Sequence, residues 1–246
     1  MNIIDVHYES QVLHRNETYR VIIPSSGNIK EMPVLLLLHG YTGNYLDWSL
    51  KSDVSLLADE YKVVFIMPSA YNSFYNDIPN GEKYYTAIVD EILPHARELF
   101  NLTNEYEKTM VAGLSMGGYG ALKIGLANLS KFRYIGSFSG CVLLEDIYKN
   151  NDEGNDKIKK VLGPFEAFNE SISDIAYQTR IKKDEIKELY IYCGTSDFLY
   201  EPNVRYLKLL AELKIKYYYY TDDDGHTWQA WNKNLHLFLK WALKRS

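Results

Sequence analysis

A serine with a glycine two residues away on each side is the part of this sequence that points most directly to chemistry. Ser115 is the centre of a Gly-x-Ser-x-Gly pattern that begins at Gly113 and ends at Gly117. A serine hydroxyl becomes a useful nucleophile when a tight strand-to-helix turn exposes it and a base can take its proton. The glycines permit such a turn because a larger side chain would crowd the backbone. The pattern predicts that Ser115 is a nucleophile; a glycine-rich turn without function is the alternative.

Among the six histidines, His226 is the best candidate for the base. It lies in a polar loop between the last predicted strand and the last predicted helix, and such a loop can direct an imidazole toward the serine. His39 also follows a predicted strand, but it precedes Ser115 and its pairing with Gly40 suggests another role. The remaining four are predicted to lie in the N-terminal hairpin or within helices: His7, His14, His95 and His236.

A carboxylate must orient the imidazole and stabilise its protonated form. Asp197 is favoured because it follows a predicted strand through a short turn, one strand before that of His226. Glu201 is a rival, and so is the acidic run 222–224, although that run is close to His226 in sequence and is interpreted as a solvated turn. The order serine, aspartate, histidine is that of the α/β-hydrolase fold.

The elements that must position these residues alternate between strands and helices. Continuous apolar runs predict buried parallel strands, and the first two strands are predicted to form an antiparallel hairpin. The sequence therefore predicts an α/β fold with a mostly parallel sheet and helices on both faces. The predicted strands cover residues 3–10, 18–24, 33–38, 62–67, 109–112, 132–139, 188–193 and 216–221.

Helices are predicted at residues 48–60, 83–100 and 228–244 and directly after Ser115, with Pro94 kinking or breaking the second of these. Residues 141–187 contain short amphipathic stretches with no strand between them. We interpret this segment either as a surface insertion or as a partial cap at the mouth of the site. All 246 residues are expected to form one domain.

Attack on an ester carbonyl also requires N–H donors for the oxyanion. The backbone N–H of Met116, which follows the nucleophile, is one candidate. The loop after the 33–38 strand carries glycines that allow its backbone to approach the substrate, and we assign the second donor to the N–H of Tyr41. The alternative is that this loop only reverses the direction of the chain and donates no hydrogen bond to the substrate.

These blocks resemble the esterase D and tributyrin esterase group of α/β-hydrolases, which includes feruloyl esterases and S-formylglutathione hydrolases. The resemblance rests on residues 38–43, 112–121, 193–197 and 225–228. It implies a metal-independent serine carboxylesterase with the triad Ser115, Asp197 and His226. It also implies short acyl groups as substrates and no cofactor.

Aromatic residues at the expected strand ends are candidates to line the pocket, and as a group they favour an aromatic, feruloyl-type ester as a second substrate class. They are Tyr41, Tyr45, Trp48, Tyr75, Tyr119 and Trp228. An acyltransferase or an S-formylglutathione-type thioesterase could use the same triad, although Tyr41 stands where the latter usually have leucine. The third hypothesis is that the chain is a non-catalytic binding protein with this fold.

Composition excludes several other classes. With 27 basic and 32 acidic residues, the net charge of −5 gives no attraction to nucleic acid or to an anionic membrane. Without a recognisable signal peptide or membrane span, the chain is expected to be soluble and cytoplasmic and to act on a small-molecule ester, as a monomer or a homo-oligomer. Cys141 and Cys193 show no metal-ligand spacing and are interpreted as buried, reduced thiols.

Overall fold

The strands form a single sheet in this computed structural model, which describes residues 1–149 and 153–244. Within those residues the order across the sheet is β1-β2-β4-β3-β5-β6-β7-β8. Every predicted strand is present, with ends that differ by a few residues. Along the chain they are β1 Asn2–Ser10, β2 Arg15–Ile23, β3 Val34–Leu38, β4 Val64–Met67, β5 Thr109–Leu114, β6 Tyr134–Phe138, β7 Glu188–Tyr192 and β8 Tyr218–Tyr220.

The predicted sheet type is confirmed. β1 pairs with β2, and β2 with β4, in antiparallel orientation. The pairs from β4 through β3, β5, β6 and β7 to β8 are all parallel. The carboxyl ends of the parallel strands therefore meet at one edge, where catalytic groups gather in open α/β sheets.

Helices cover both faces of this sheet, as predicted. Alternate side chains of a strand point to opposite faces, so Leu36 and Leu38 of β3 join one apolar cluster and Leu35 and Leu37 join another. The first cluster packs against α3 to α9, and the second against α1, α2 and α10. The helices are α1 Asp47–Lys51, α2 Val54–Tyr61, α3 Tyr84–Thr86, α4 Leu93–Phe100, α5 Met116–Ala127, α6 Glu153–Leu162, α7 Phe165–Phe168, α8 Ile175–Ile181, α9 Tyr200–Glu212 and α10 Trp228–Ala242. None in the described ranges is long and apolar enough to cross a membrane.

Two predicted helices are interrupted. The helix predicted over residues 48–60 is divided into α1 and α2 at Ser52, whose backbone is extended. Over residues 83–100, α3 continues into a π-helical segment, Ala87–Ile92, and then into α4, whose first turn contains Pro94. Proline lacks an N–H and its ring clashes with the carbonyl four residues earlier, and a wider π turn relieves this conflict.

The 141–187 segment contains short helices and no strand up to residue 187 in its described residues, and residues 150–152 lie outside the described residues. It contains a 3₁₀ turn, Leu144–Tyr148, followed by α6, α7 and α8. The Tyr119 hydroxyl of α5 donates a 2.8 Å hydrogen bond to the Ser173 carbonyl, and the Asn76 amide donates one of 2.7 Å to the Val161 carbonyl. These contacts fasten the segment to α5 and to the loop after β4.

Candidate active site

Ser115 occupies the sharp turn between β5 and α5, at the carboxyl edge of the sheet. Its backbone has φ 54° and ψ −117°, a conformation that a residue with a side chain adopts only under strain. The Ser115 amide donates a 2.8 Å hydrogen bond to the Phe138 carbonyl at the end of β6. The neighbouring strand therefore holds the turn in place.

The two glycines of the motif are required by close approach of backbone to backbone. A Cβ atom built on Gly113 would lie 2.4 Å from the carbonyl oxygen of Gly117. A Cβ atom on Gly117 would lie 2.5 Å from the carbonyl oxygen of Leu38 and 2.6 Å from that of His39. Neither backbone can move away without breaking the strand ends, so α5 can start beside β3 only with glycine at these positions.

His226 reaches Ser115 from the loop between β8 and α10. The Thr227 side chain caps α10 by accepting a hydrogen bond from the Ala230 amide, which fixes the end of this loop. The Nε2 atom of His226 lies 3.0 Å from Ser115 Oγ. Aromatic rings of Phe198 and Trp231 pack against the imidazole, with centroids 4.5 Å and 4.8 Å from it.

Asp197 lies on the opposite edge of the same imidazole, and its side chain is fully buried. His226 Nδ1 lies 2.9 Å and 3.1 Å from the two carboxylate oxygens, and the Leu199 amide donates to the carboxylate at 2.8 Å. Burial raises the pKa of Asp197, but hydrogen bonds from His226, the Leu199 amide and Ser139 outweigh it, so the pKa is below its usual value. An ionised Asp197 can only accept, so Nδ1 carries the hydrogen and Nε2 can accept from Ser115.

The rival acids do not hydrogen-bond His226 in the described part of the chain. Asp222 accepts a 2.9 Å hydrogen bond from the Tyr192 hydroxyl and forms a 2.6 Å ion pair with Lys233. Glu201 is exposed in the first turn of α9. The structure therefore brings together Ser115, His226 and Asp197 and leaves the other carboxylates apart.

Two backbone N–H groups beside the serine are free to donate a hydrogen bond. Gly40 abuts the nucleophile, since a Cβ atom there would lie 3.5 Å from Ser115 Cβ. Within the described residues, the amides of Tyr41 and Met116 have no hydrogen-bond acceptor. Such paired donors are suited to a developing oxyanion.

His39 holds the loop that carries Tyr41. Its Nε2 accepts a 2.9 Å hydrogen bond from the Ala70 amide, which places the ring hydrogen on Nδ1, 2.7 Å from the Gly40 carbonyl that accepts it. The Tyr75 hydroxyl donates to the His39 carbonyl at 2.8 Å. Burial lowers the pKa of His39 to about 4, so the ring is neutral and structural at physiological pH.

The half-buried Cys141 is the other nucleophilic side chain beside Ser115. Its amide donates a 3.4 Å hydrogen bond to the Ser115 carbonyl, and its thiol also interacts with the serine side chain. Burial raises the pKa of this thiol to about 12, so it is protonated and poorly nucleophilic. Both cysteines are free thiols, and Cys193 is fully buried.

A cavity of about 280 Å³ opens onto the serine. Its walls combine the glycine loop, four aromatic rings and one ion pair, that of Asp47 and Lys51 at 3.1 Å. Sequence reasoning missed several of these residues, although Phe198 is adjacent to Asp197 and Trp231 lies one helical turn after Trp228. The lining residues are Gly40, Tyr41, Thr42, Asp47, Lys51, Leu114, Ser115, Phe198, His226, Trp228 and Trp231.

Only some of the predicted pocket residues lie in this cavity. Tyr41 and Trp228 line it, whereas Tyr45 is half-buried elsewhere beneath the Arg20 guanidinium. Trp48, Tyr75 and Tyr119 were expected at the pocket, but they have at most 1% of their surface exposed. Their polar atoms bond backbone carbonyls of the core, so they support the pocket walls from behind instead of contacting substrate.

The side chains of the described residues also determine whether the protein could bind a metal ion. No group of three or more histidine, cysteine, aspartate or glutamate side chains in residues 1–149 and 153–244 is arranged to hold a metal ion.

Fold and site together define an α/β-hydrolase with the geometry of a serine hydrolase. The profile of the Esterase family matches residues 10–241, and the chain belongs to this family. An acetyl esterase of Caldicellulosiruptor saccharolyticus is 33% identical over the full length of both chains. The esterase resemblance read from the sequence is thereby confirmed, and the chain is a carboxylic ester hydrolase.

Solved structures share the fold over nearly the whole chain. The fluorophosphonate-binding serine hydrolase F of Staphylococcus aureus, with substrate bound, has a TM-score of 0.89 at 24% identity, with 98% of each chain covered. An S-formylglutathione hydrolase of the same organism has a TM-score of 0.86 at 24% identity, again with 98% of each chain covered.

Proposed function

We propose that this esterase hydrolyses short-chain carboxylic esters through an acyl-enzyme on Ser115, with His226 as general base and acid and Asp197 as the group that orients it. The observation that carries this proposal is the continuous hydrogen-bonded line from the Asp197 carboxylate through His226 to Ser115 Oγ. The oxyanion donors are the N–H groups of Tyr41 and Met116.

In the first half of the reaction, Ser115 Oγ attacks the ester carbonyl carbon while its proton passes to His226 Nε2. The carbonyl oxygen becomes an oxyanion, which accepts hydrogen bonds from the Tyr41 and Met116 amides. When the tetrahedral intermediate collapses, the bond to the alkoxy oxygen breaks and His226 gives its proton to the departing alcohol. Asp197 stabilises the imidazolium throughout.

In the second half, water takes the place of the alcohol. His226 removes one proton from the water, and the resulting hydroxide oxygen attacks the acyl carbon of the Ser115 ester. Collapse returns the proton from His226 to Ser115 Oγ and releases the carboxylic acid. The enzyme ends in its starting protonation state, so only water and ester are consumed.

The cavity supports a small acyl group. A space of about 280 Å³ is at the lower end of ligand sites, and the backbone of Gly40 closes it beside the serine. The acetyl esterase relative supports the same acyl class. The rim is aromatic: Phe198 is 74% exposed and Tyr41 is 42% exposed. Flat rings at the entrance favour a ring-bearing alcohol or an aromatic acid as a second substrate class.

The test is hydrolysis of p-nitrophenyl acetate, butyrate and octanoate beside methyl ferulate, by the wild type and by Ser115→Ala. We expect kcat/KM to decrease from acetate to octanoate and the variant to be inactive on all four. An octanoate rate above the acetate rate would contradict the short-acyl assignment. Addition of a competing alcohol during turnover measures any acyl transfer, for which we expect the free acid to remain the main product.

In this proposal the segment 141–187 is a surface insertion that packs beside the nucleophile helix and is not a cap over the cavity. In the structure none of its described residues lines the cavity that holds Ser115. Its fastening to α5 through Tyr119 and Ser173 supports a fixed wall next to the nucleophile helix.

A further inference from the structure

A buried serine and a buried tryptophan stand behind the Asp197 and His226 pair. Ser139 directly follows β6 and is fully buried, and Trp231 in α10 is 6% exposed. The Trp231 indole N–H donates a 3.1 Å hydrogen bond to Ser139 Oγ. The same indole packs edge-on against His226, with ring planes at 88°. Trp231 therefore contacts the imidazole and the serine hydroxyl at once.

The hydrogen of the Ser139 hydroxyl has two neighbours that could accept it. An indole N–H is only a donor, so Ser139 Oγ must be the acceptor in its bond with Trp231, which leaves the hydroxyl hydrogen for another group. Ser139 interacts with the Asp197 carboxylate and with the Cys193 thiol. Burial raises the pKa of that thiol well above its usual value, so Cys193 is protonated. A carboxylate is a much stronger acceptor than a thiol, so Asp197 is the favoured acceptor for the hydroxyl hydrogen.

The backbone of Ser139 is consistent with a functional position. Its φ of 48° lies in the left-handed region, which serine rarely adopts. The Ser139 amide donates a 2.7 Å hydrogen bond to the Tyr192 carbonyl at the end of β7. Strained residues of this kind persist where the surrounding structure holds them, and they cluster at active sites. Here the left-handed backbone holds Ser139 between the ends of β6 and β7.

We propose that Ser139 and Trp231 are positioning residues of the esterase reaction: Trp231 fixes the Ser139 hydroxyl so that it donates to the Asp197 carboxylate, and Asp197 and His226 are thereby held in line with Ser115. This inference rests on the proposed function, because it assigns the two residues to that triad. Five side chains then form one connected unit, in the order Trp231, Ser139, Asp197, His226 and Ser115.

The test compares Ser139→Ala and Ser139→Gly with Ser137→Ala. Both Ser139 variants remove the hydroxyl, and glycine also relieves the left-handed backbone, so it remains informative where alanine folds poorly. Ser137 is a matched control two residues earlier, within β6, because it is fully buried and its hydroxyl has no hydrogen-bond partner in the described residues. On p-nitrophenyl acetate we expect both Ser139 variants to lose about 10-fold in kcat with little change in KM. Ser137→Ala keeps the wild-type values.

The pH profile separates positioning from general destabilisation. Without the Ser139 donor, the Asp197 charge is shared with fewer partners and acts more strongly on the protonated imidazole. The acidic limb of the kcat/KM profile is therefore expected to move to higher pH in both Ser139 variants. The other titratable groups that face Asp197 are Cys141 and Cys193, and burial of these thiols raises their pKa values far above that limb.

Trp231→Phe and the double variant Ser139→Ala/Trp231→Phe complete the test. Phenylalanine keeps an aromatic ring against His226 and removes the N–H donor. If the indole N–H acts through Ser139, the double variant has the same kcat as Ser139→Ala alone. Additive losses would overturn this, as would Ser139 variants with wild-type kcat and an unshifted acidic limb. A Ser115→Ala enzyme that remains active would instead overturn the triad itself, so the two failures are distinguishable.

Discussion

The Nε2 atom of His226 lies 3.0 Å from Ser115 Oγ, although 111 positions separate the two residues along the chain. Their contact depends on a strained turn at Ser115, on a capped loop at His226 and on a buried carboxylate behind the imidazole.

Asp197→Asn tests the orienting carboxylate. The amide keeps the shape of the side chain but can donate to Nδ1, which would leave His226 in the wrong tautomer. By comparison with other serine hydrolase triads we expect kcat on p-nitrophenyl acetate to fall by about four orders of magnitude. Glu201→Gln is the matched control on the rival acid, and we expect it to match the wild type. Near-full activity of Asp197→Asn would show that another carboxylate orients His226.

Gly117→Ala tests the close approach of α5 to β3. The new methyl group would lie 2.5 Å from the Leu38 carbonyl oxygen, so the helix start must shift and carry the Met116 amide with it. We expect a loss of about 1–3 kcal/mol in the free energy of unfolding by urea, together with a large loss of kcat. At Gly225 the nearest atom beyond its neighbours, the Ser196 carbonyl oxygen, is 3.6 Å away. Gly225→Ala is therefore expected to keep the wild-type stability, and equal effects at both positions would refute the steric account.

His39 makes the fold sensitive to acid. Burial lowers its pKa from 6.5 to about 4, so between these values the unfolded chain binds a proton that the folded chain does not. Stability is therefore lost as the pH falls through this window. Relative to His39→Gln, the wild type should lose roughly 3 kcal/mol of unfolding free energy between pH 6.5 and 4. Parallel pH curves for the two proteins would show that His39 does not titrate as described.

Lys123 makes the stability of the fold depend on pH in the neutral to alkaline range. This fully buried lysine of α5 donates a 2.5 Å hydrogen bond to the Asn76 side chain, and burial lowers its pKa from 10.5 to about 7. Between those values the unfolded chain holds the extra proton, so stability rises with pH. Relative to Lys123→Met, the wild type should gain roughly 3 kcal/mol between pH 7 and 9.5. If the difference in unfolding free energy between the two proteins stays constant over that range, the Lys123 amine is not neutral in the folded protein.

Much of this architecture could be predicted from the sequence because its signals are local. Continuous apolar runs identified the buried parallel strands, β-branched and aromatic residues identified β1, β2 and β8, and the glycine spacing around Ser115 located the nucleophile turn. Three side chains expected to meet do meet, since strand ends in a parallel sheet share one edge.

Features that depend on packing could not be predicted in the same way. Helix α9 was missed because it begins with polar residues and contains Pro202 in its first turn, although Tyr206, Leu209 and Leu210 have helical spacing. The cavity walls were only partly predicted, since Phe198 and Trp231 come from different elements. Trp48 was expected at the pocket and is buried, because an apolar ring near a strand end can pack inward as readily as outward.

The most direct test of the central claim is rapid acid quench of the enzyme with p-nitrophenyl acetate, followed by peptide mapping by mass spectrometry. We predict that an acetyl group is found on the peptide that contains Ser115, and that the adduct is absent from Ser115→Ala. An acetyl group on Cys141 instead, or turnover by Ser115→Ala at the wild-type rate, would contradict the assignment of Ser115 as the nucleophile.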